Sequence, residues 1–151
     1  MHLEKMADKG IAWVPTAVTM EAYARLMKYD PVVSGNAQKN LDHQLEQIRM
    51  AREYGVTTAV GTDAGSPGVD HGKAIIQEMR LLMDAGYSLE EVIMCATSTG
   101  ADLLGLSKIG KLQKEMNAAF IVVPGPPSKL PESLRSIEMI FCDGEMVYGK
   151  K

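Results

Sequence analysis

The stretch AVGTDAGSPGVDHG, residues 59–72, gives the clearest indication of the fold class. It completes a β-branched, apolar run over residues 56–63, which predicts a buried strand. Asp63 ends that strand, and a loop rich in glycine and containing His71 follows it. In α/β proteins, ligands bind and chemistry takes place at the carboxyl ends of parallel strands. The position of Asp63 therefore indicates a candidate catalytic or metal-binding carboxylate.

Residue pattern alone leaves the roles of Asp63 and His71 open. An aspartate after a strand can accept a proton or contact a metal, but it also commonly caps a helix or fixes a turn. The side chain of His71 either reaches back over the glycine loop or serves only the start of the next helix. A Walker phosphate loop is excluded, because Ala74 follows Gly72 and Lys73 where that motif requires serine or threonine.

The residue pattern also predicts strands, loops and helices on either side of this stretch. Residues 11–15 form a short apolar run stopped by proline, which predicts a second buried strand. Residues 29–36, YDPVVSGN, are predicted as a loop. Ser88 and Glu91 have the spacing of a capping box and predict the start of a helix. Apolar periodicity predicts the remaining long helices over residues 18–29, 36–54 and 71–85.

The pattern changes after Lys108, where apolar runs typical of strands appear. Asp143-Gly144 lies between two such runs and predicts a hairpin turn. In the first part of the chain, strands alternate with helices, which predicts an α/β fold with parallel pairing. Two strands with flanking helices do not make a closed sheet.

Composition narrows the class of protein. The chain has 151 residues, of which 46% are hydrophobic and 23% charged, so it is long and apolar enough to form a core. A net charge of -3 without a basic run argues against a nucleic-acid partner. No apolar stretch reaches the about 20 residues of a membrane span. The charged N-terminus and two cysteines outside any CxxC pair favour a cytoplasmic location.

Taken in order, five segments resemble the C-terminal part of the amidohydrolase superfamily, nearest to its imidazolonepropionase-like and prolidase-like members. The segments are LEKMADKGIAWVPT (3–16), AREYGVTTAVGTDAGSPGVDHG (51–72), EMRLLMDAGYSLEEVIMCATSTGADLLGL (78–106), KIGKLQKEMNAAFIVV (108–123) and IEMIFCDGEMVY (137–148). The resemblance implies the last two βα units of a (β/α)8 TIM barrel in residues 1–107. It implies that residues 108–151 form a short β tail from a small β-sandwich domain.

The resemblance also implies a chemistry. Members of this group hydrolyse amide or cyclic C–N bonds of small molecules with water activated by a divalent metal, commonly zinc. Asp63 would be the general base and a metal contact. His71 falls in the loop after the last barrel strand and would contact the substrate.

The chain departs from the family pattern at the other metal ligands. It contains no His-x-His pair, and the ligands from the earlier barrel strands are not encoded; His2 does not align with the sixth-strand histidine, and His43 is expected to face solvent. Ala119 stands where the family usually has aspartate. We therefore expect a C-terminal fragment that binds no metal alone, is inactive alone, and needs a missing N-terminal barrel half. The alternative is a non-catalytic module that covers its exposed strands by forming a homo-oligomer.

Overall fold

The computed structural model describes residues 2–150. These residues form two compact units, of which the first ends at Ala96 and the second begins at Thr97. The first unit contains helices α1 to α5, which are His2–Asp8, Ala17–Leu26, Pro31–Glu53, Ala74–Asp84 and Leu89–Ala96. The second unit contains helix α6, Ser98–Leu103, and strands β1 to β3, which are Phe120–Val122, Met139–Cys142 and Glu145–Gly149. Two short 3-10 turns, Pro127–Lys129 and Glu132–Ser136, separate β1 from β2.

The core of the first unit lies between its helices. Ile48, Leu82, Val18 and Val92 come from four different helices and are all nearly inaccessible to solvent. Each lies on the buried face of its helix, whereas Tyr23 on α2 and Ile75 on α4, which belong to the predicted apolar periodicity, are 45% and 39% exposed. Burial of side chains of this size contributes about 1.5–3 kcal/mol each to folding.

Helix α3 begins earlier than the sequence pattern predicts. Asp30 precedes it, and one carboxylate oxygen of Asp30 accepts hydrogen bonds from the amides of Val32 at 3.0 Å and Val33 at 3.1 Å. Pro31 occupies the first helical position, where its missing N–H costs nothing. The predicted loop at residues 29–36 is therefore wrong over most of its length, because an N-cap and a favourable proline outweigh the β-branched residues that follow.

Helix α5 begins where the capping box predicts. The backbone amide of Ser88 donates to Glu91 Oε2 at 2.7 Å, and the amide of Glu91 donates to Ser88 Oγ at 3.2 Å. The two residues thus satisfy each other's amides at a helix end, where backbone donors otherwise lack partners. The prediction is confirmed.

The two predicted strands of the first unit are only partly realised. Within residues 2–150, the parallel pairing between segments 11–15 and 56–63 consists of a single bridge between Trp13 and Thr58. Segment 56–63 is largely buried before residue 60, but Ile11 and Val14 are 47% and 45% exposed. Their prediction as residues of a buried strand is wrong. A strand gains regular geometry from neighbours on both sides, and among residues 2–150 the bridge at Trp13 is the parallel pairing that these two segments make.

The second unit contains an antiparallel sheet in the order β1-β2-β3. Asp143 and Gly144 join β2 to β3, and both have positive φ values, 50° and 85°, as a tight hairpin turn requires. Phe120 and Phe141 stack across β1 and β2 with ring centroids 4.6 Å apart. The predicted β character and hairpin are confirmed. Among residues 2–150, no helix combines the length and the apolar character that crossing a membrane requires.

Candidate functional site

The backbone that leads to Asp63 is held from two directions. The backbone carbonyl of Trp13 accepts a hydrogen bond from the amide of Ala59 at 3.0 Å, which fixes the parallel pairing. The next amide, that of Val60, donates to the carbonyl of Cys95 at 3.0 Å. Asp63 follows three residues later, so it extends from a segment whose position the fold determines.

Close packing just before Asp63 requires a glycine. At Gly61 a Cβ atom would lie 2.3 Å from Cγ1 of Val14, a separation that real atoms do not adopt. The absence of a side chain therefore lets the segment that carries Asp63 approach residues 11–15. Gly61 thus shapes the segment that ends at Asp63.

Asp63 has a backbone conformation that few residues other than glycine adopt. Its φ is 49°, in the left-handed region, which aspartate tolerates better than most residues. The Ser66 hydroxyl donates to Asp63 Oδ2 at 2.8 Å, and the Ser66 amide donates to the Asp63 carbonyl at 3.2 Å. Asp63 Oδ1 accepts no hydrogen bond from the residues that the structure describes. The side chain is exposed, so this oxygen is available to a proton, a ligand or water.

His71 folds back over the glycine loop, as one of the two sequence interpretations requires. Its Nε2 would lie 3.7 Å from a Cβ built at Gly65, which places the imidazole above a residue two positions after Asp63. The histidine is exposed, and no hydrogen bond joins it to Asp63 within residues 2–150. The loop therefore places the His71 imidazole over Gly65, without a hydrogen bond to Asp63 among the described residues.

The loop after Asp63 is anchored on helix α2. The Arg25 guanidinium donates to the carbonyl of Gly68 at 2.9 Å. A Cβ at Gly68 would lie 3.1 Å from Leu26 and 3.4 Å from Ala22, so the loop packs tightly on this helix. The position of α2 therefore influences the conformation of the Asp63 loop.

One buried acid that contacts the first turn of α2 was not singled out from the sequence. Glu78 on α4 is fully buried, and its Oε1 and Oε2 accept hydrogen bonds from the amides of Ala17 at 3.1 Å and Val18 at 2.8 Å. Burial raises the pKa of Glu78 to about 7; the amide hydrogen bonds lower the pKa, while the charge of Glu21 raises it further. Glu78 follows an ordinary helical pattern, and its partners lie about 60 residues away, so no local signal identifies it.

The other histidines belong to different surfaces. His2 is the first residue of α1 and is exposed. His43 is also exposed, as predicted, and borders a hollow of about 340 Å³ with Leu3, Met6 and Trp13. His2 therefore lies on α1, and His43 lies beside that hollow on α3.

The described residues do not complete a metal site. A catalytic zinc site needs about three protein ligands besides water. Across residues 2–150, no group of three or more histidine, cysteine, aspartate or glutamate side chains is arranged to hold a metal ion. Asp63 and His71 are two donors of suitable type, and the set falls short of a complete site.

A carboxylate that ends a parallel-paired segment and is followed by a loop is an arrangement typical of the α/β class. The chain belongs to the amidohydrolase family, whose family model matches residues 2–148. This confirms the resemblance. A search of curated proteins found no match.

Three solved structures are similar to this chain. A Xaa-Pro dipeptidase with methionine bound in its active site is 28% identical, with a TM-score of 0.82 over 97% of this chain. An amidohydrolase is 26% identical, with a TM-score of 0.77 over 98% of this chain. A prolidase in complex with N-methylphosphonate-L-proline is 20% identical, with a TM-score of 0.80 over 98% of this chain, and shows the fold alone. This chain spans 37% of the length of each of these three proteins.

Proposed function

We propose that this chain contributes Asp63 as the general base of a metal-dependent amidohydrolase that cleaves amide or cyclic C–N bonds. The observation that carries the proposal is the family match over residues 2–148. In the structure, Asp63 ends a fixed segment, and one of its two carboxylate oxygens accepts no hydrogen bond from the described residues. Residues 1–107 would form the last two βα units of a TIM barrel. Residues 108–151 would form part of a small β-sandwich domain.

Three residues of the Asp63 loop have a defined task in this proposal. Asp63 Oδ1 accepts a proton from the attacking water, while the Ser66 hydroxyl holds Oδ2 and so orients the carboxylate. His71 lies above Gly65, where it can contact a substrate that enters over the loop. In the family a divalent metal, commonly zinc, activates the water. Because the described donors do not complete a metal site, we expect the isolated chain to be inactive and to hold no stoichiometric zinc.

One of the similar structures supports a substrate class. The 28% identical protein is a Xaa-Pro dipeptidase, which supports a dipeptide or another small amide as the substrate. Cyclic imides remain a second substrate class to test. We place the reaction in the cytoplasm, with the remaining barrel residues or a second subunit as the partner.

A graft into a similar enzyme tests this function directly. Residues 2–148 of this chain replace the matching part of the Xaa-Pro dipeptidase, and hydrolysis of Xaa-Pro dipeptides is measured. We expect a folded graft to hydrolyse dipeptides and to hold metal. A folded, metal-loaded graft without activity on dipeptides, lactams or hydantoins would contradict the proposal. A smaller graft of residues 56–72 keeps the test informative if the larger graft does not fold.

Exposed apolar side chains favour a second candidate function, a non-catalytic module that self-associates. Ile11 and Val14 are nearly half exposed, and Tyr23, Leu26 and Met27 are partly exposed beside the Asp63 loop. A homo-oligomer would cover such surfaces. Light scattering coupled to size exclusion separates the two ideas. A cooperative monomer at micromolar concentration rules out the module, whereas a stable dimer that Val14→Lys dissociates supports it.

A further inference from the structure

The first turn of α2 depends on a side chain from another helix. Thr16, the residue before the helix, has a φ of 51° and makes no side-chain capping bond. The amides of Ala17 and Val18, which lack partners within the helix, donate instead to the carboxyl of Glu78 on α4. A carboxylate at this end of a helix also interacts favourably with the helix dipole. Glu78 therefore takes over the task that an N-cap residue usually performs.

A second carboxyl group lies close enough to act on the first. The charge of Glu21, one turn into α2, opposes ionisation of Glu78. Glu21 Oε2 is buried and has no hydrogen-bond partner among the described residues. The other helices packed on α4 are α3 and α5, and their buried side chains carry no charge: Ala37, Leu41, Ile48, Ala51, Val92 and Cys95. Burial keeps the Cys95 thiol neutral by raising its pKa to about 11.

Helix α2 connects this acid pair to the loop after Asp63. The first turn of α2 is bonded to Glu78, and three residues near its other end touch Gly68. Those contacts are the Arg25 hydrogen bond to the Gly68 carbonyl and the packing of Ala22 and Leu26 against Gly68. The helix is only ten residues long, so a shift or loosening at its start reaches its other end within three turns.

We propose that Glu78 is a positioning residue for the Asp63 loop and that its protonation state sets the conformation of that loop through α2. Ionised Glu78 accepts the two amide hydrogen bonds more strongly but places a negative charge in the protein interior beside Glu21, whereas protonated Glu78 accepts them more weakly and without a buried charge. The first turn of α2 is therefore held differently in the two protonation states. The loop, which packs on α2 at Gly68, differs with it. The proposal deepens the proposed function, since it assigns a pH control to the loop that carries Asp63.

Nuclear magnetic resonance of the whole chain tests the coupling. The amide signals of Gly65, Ser66 and Val69 report on the loop, because these amides donate hydrogen bonds within it. Histidine titrates in the same pH range, so the measurement uses a His71→Gln background. We expect the loop signals and those of Ala17 and Val18 to shift together, with a shared midpoint near pH 7.

Two variants separate this coupling from a merely structural role. Glu78→Gln removes the titrating group, so the shared inflection should disappear while the fold is retained. Glu21→Gln removes the neighbouring charge that opposes ionisation, so the same inflection should move to lower pH. The second variant keeps the test decisive if Glu78→Gln does not fold.

Three outcomes would overturn the proposal. They are loop signals that do not shift near pH 7, an inflection that survives in Glu78→Gln, and a midpoint that Glu21→Gln leaves unchanged. None of these readouts involves turnover or a metal. The coupling can thus fail while the graft is active, or hold while the graft is inactive, so the two proposals are judged separately.

Discussion

Replacing Glu78 with glutamine removes the charge of a fully buried carboxyl group, and the structure gives the sign of the effect. The pKa of Glu78 is raised from its ordinary value of 4.5 to about 7, mainly by burial. Between these pH values the folded chain holds a proton that the unfolded chain has released. The free energy of unfolding therefore falls as pH rises from about 4.5 to about 7, and it levels off above that.

The magnitude follows from the width of this interval. At about 1.4 kcal/mol per pH unit, the contribution of Glu78 to the free energy of unfolding amounts to about 3 kcal/mol, most of which is lost between pH 5 and pH 8. Urea unfolding followed by the fluorescence of Trp13, the single tryptophan, measures it in the unit that contains Glu78.

The comparison between variants isolates Glu78 from the other titrating groups. Wild type should lose about 2–3 kcal/mol of unfolding free energy relative to Glu78→Gln across pH 5 to 8. Glu145→Gln, a change at an exposed position, should follow wild type. Parallel pH profiles for wild type and Glu78→Gln would refute the reasoning, because they would mean that the buried carboxyl does not change charge in this range.

Three further predictions concern stability and are checked by urea unfolding. Gly110→Ala should lower the free energy of unfolding by about 2–5 kcal/mol, because a Cβ there would lie 2.9 Å from backbone and φ is +90°. Gly105→Ala, where space is open and φ is +70°, should lower it by only about 1–2 kcal/mol. Asp30→Ala should cost about 1 kcal/mol through the lost cap of α3, with lower helicity in circular dichroism. Leu82→Ala should lower the free energy of unfolding by about 3 kcal/mol, because the Leu82 side chain is fully buried. Ile75→Ala should lower it markedly less, because Ile75 is 39% exposed. Equal losses within the Gly110/Gly105 pair or the Leu82/Ile75 pair would contradict this packing.

The structural features that the sequence predicted correctly depend on residues close together in the chain. Ser88 and Glu91 lie three residues apart and act on each other's amides, so their pattern contains the whole interaction. Asp143-Gly144 likewise needs only its own backbone to form a turn. The start of α3 was equally local, since Asp30 and the proline after it are a recognised helix start, but the β-branched residues that follow obscured it.

Features that depend on contacts between distant parts of the chain could not be predicted from the sequence. The strand character of residues 11–15 depends on how many neighbours the segment pairs with, and the described pairing is one bridge at Trp13. Glu78 takes its role from amides about 60 residues away. For Asp63, the sequence indicated the strand end and the loop, but the left-handed backbone and the Ser66 hydrogen bond required coordinates.

The most direct test of the central claim compares two aspartates of the same loop in the dipeptidase graft. Asp63→Asn keeps the shape of the side chain but removes its basicity, whereas Asp70→Asn alters an exposed residue whose ion pair with Lys73 contributes little. We expect kcat/KM for dipeptide hydrolysis to fall by about 100-fold or more in Asp63→Asn and to change by less than about twofold in Asp70→Asn. Equal activity of the two variants would contradict the role of Asp63 as the general base.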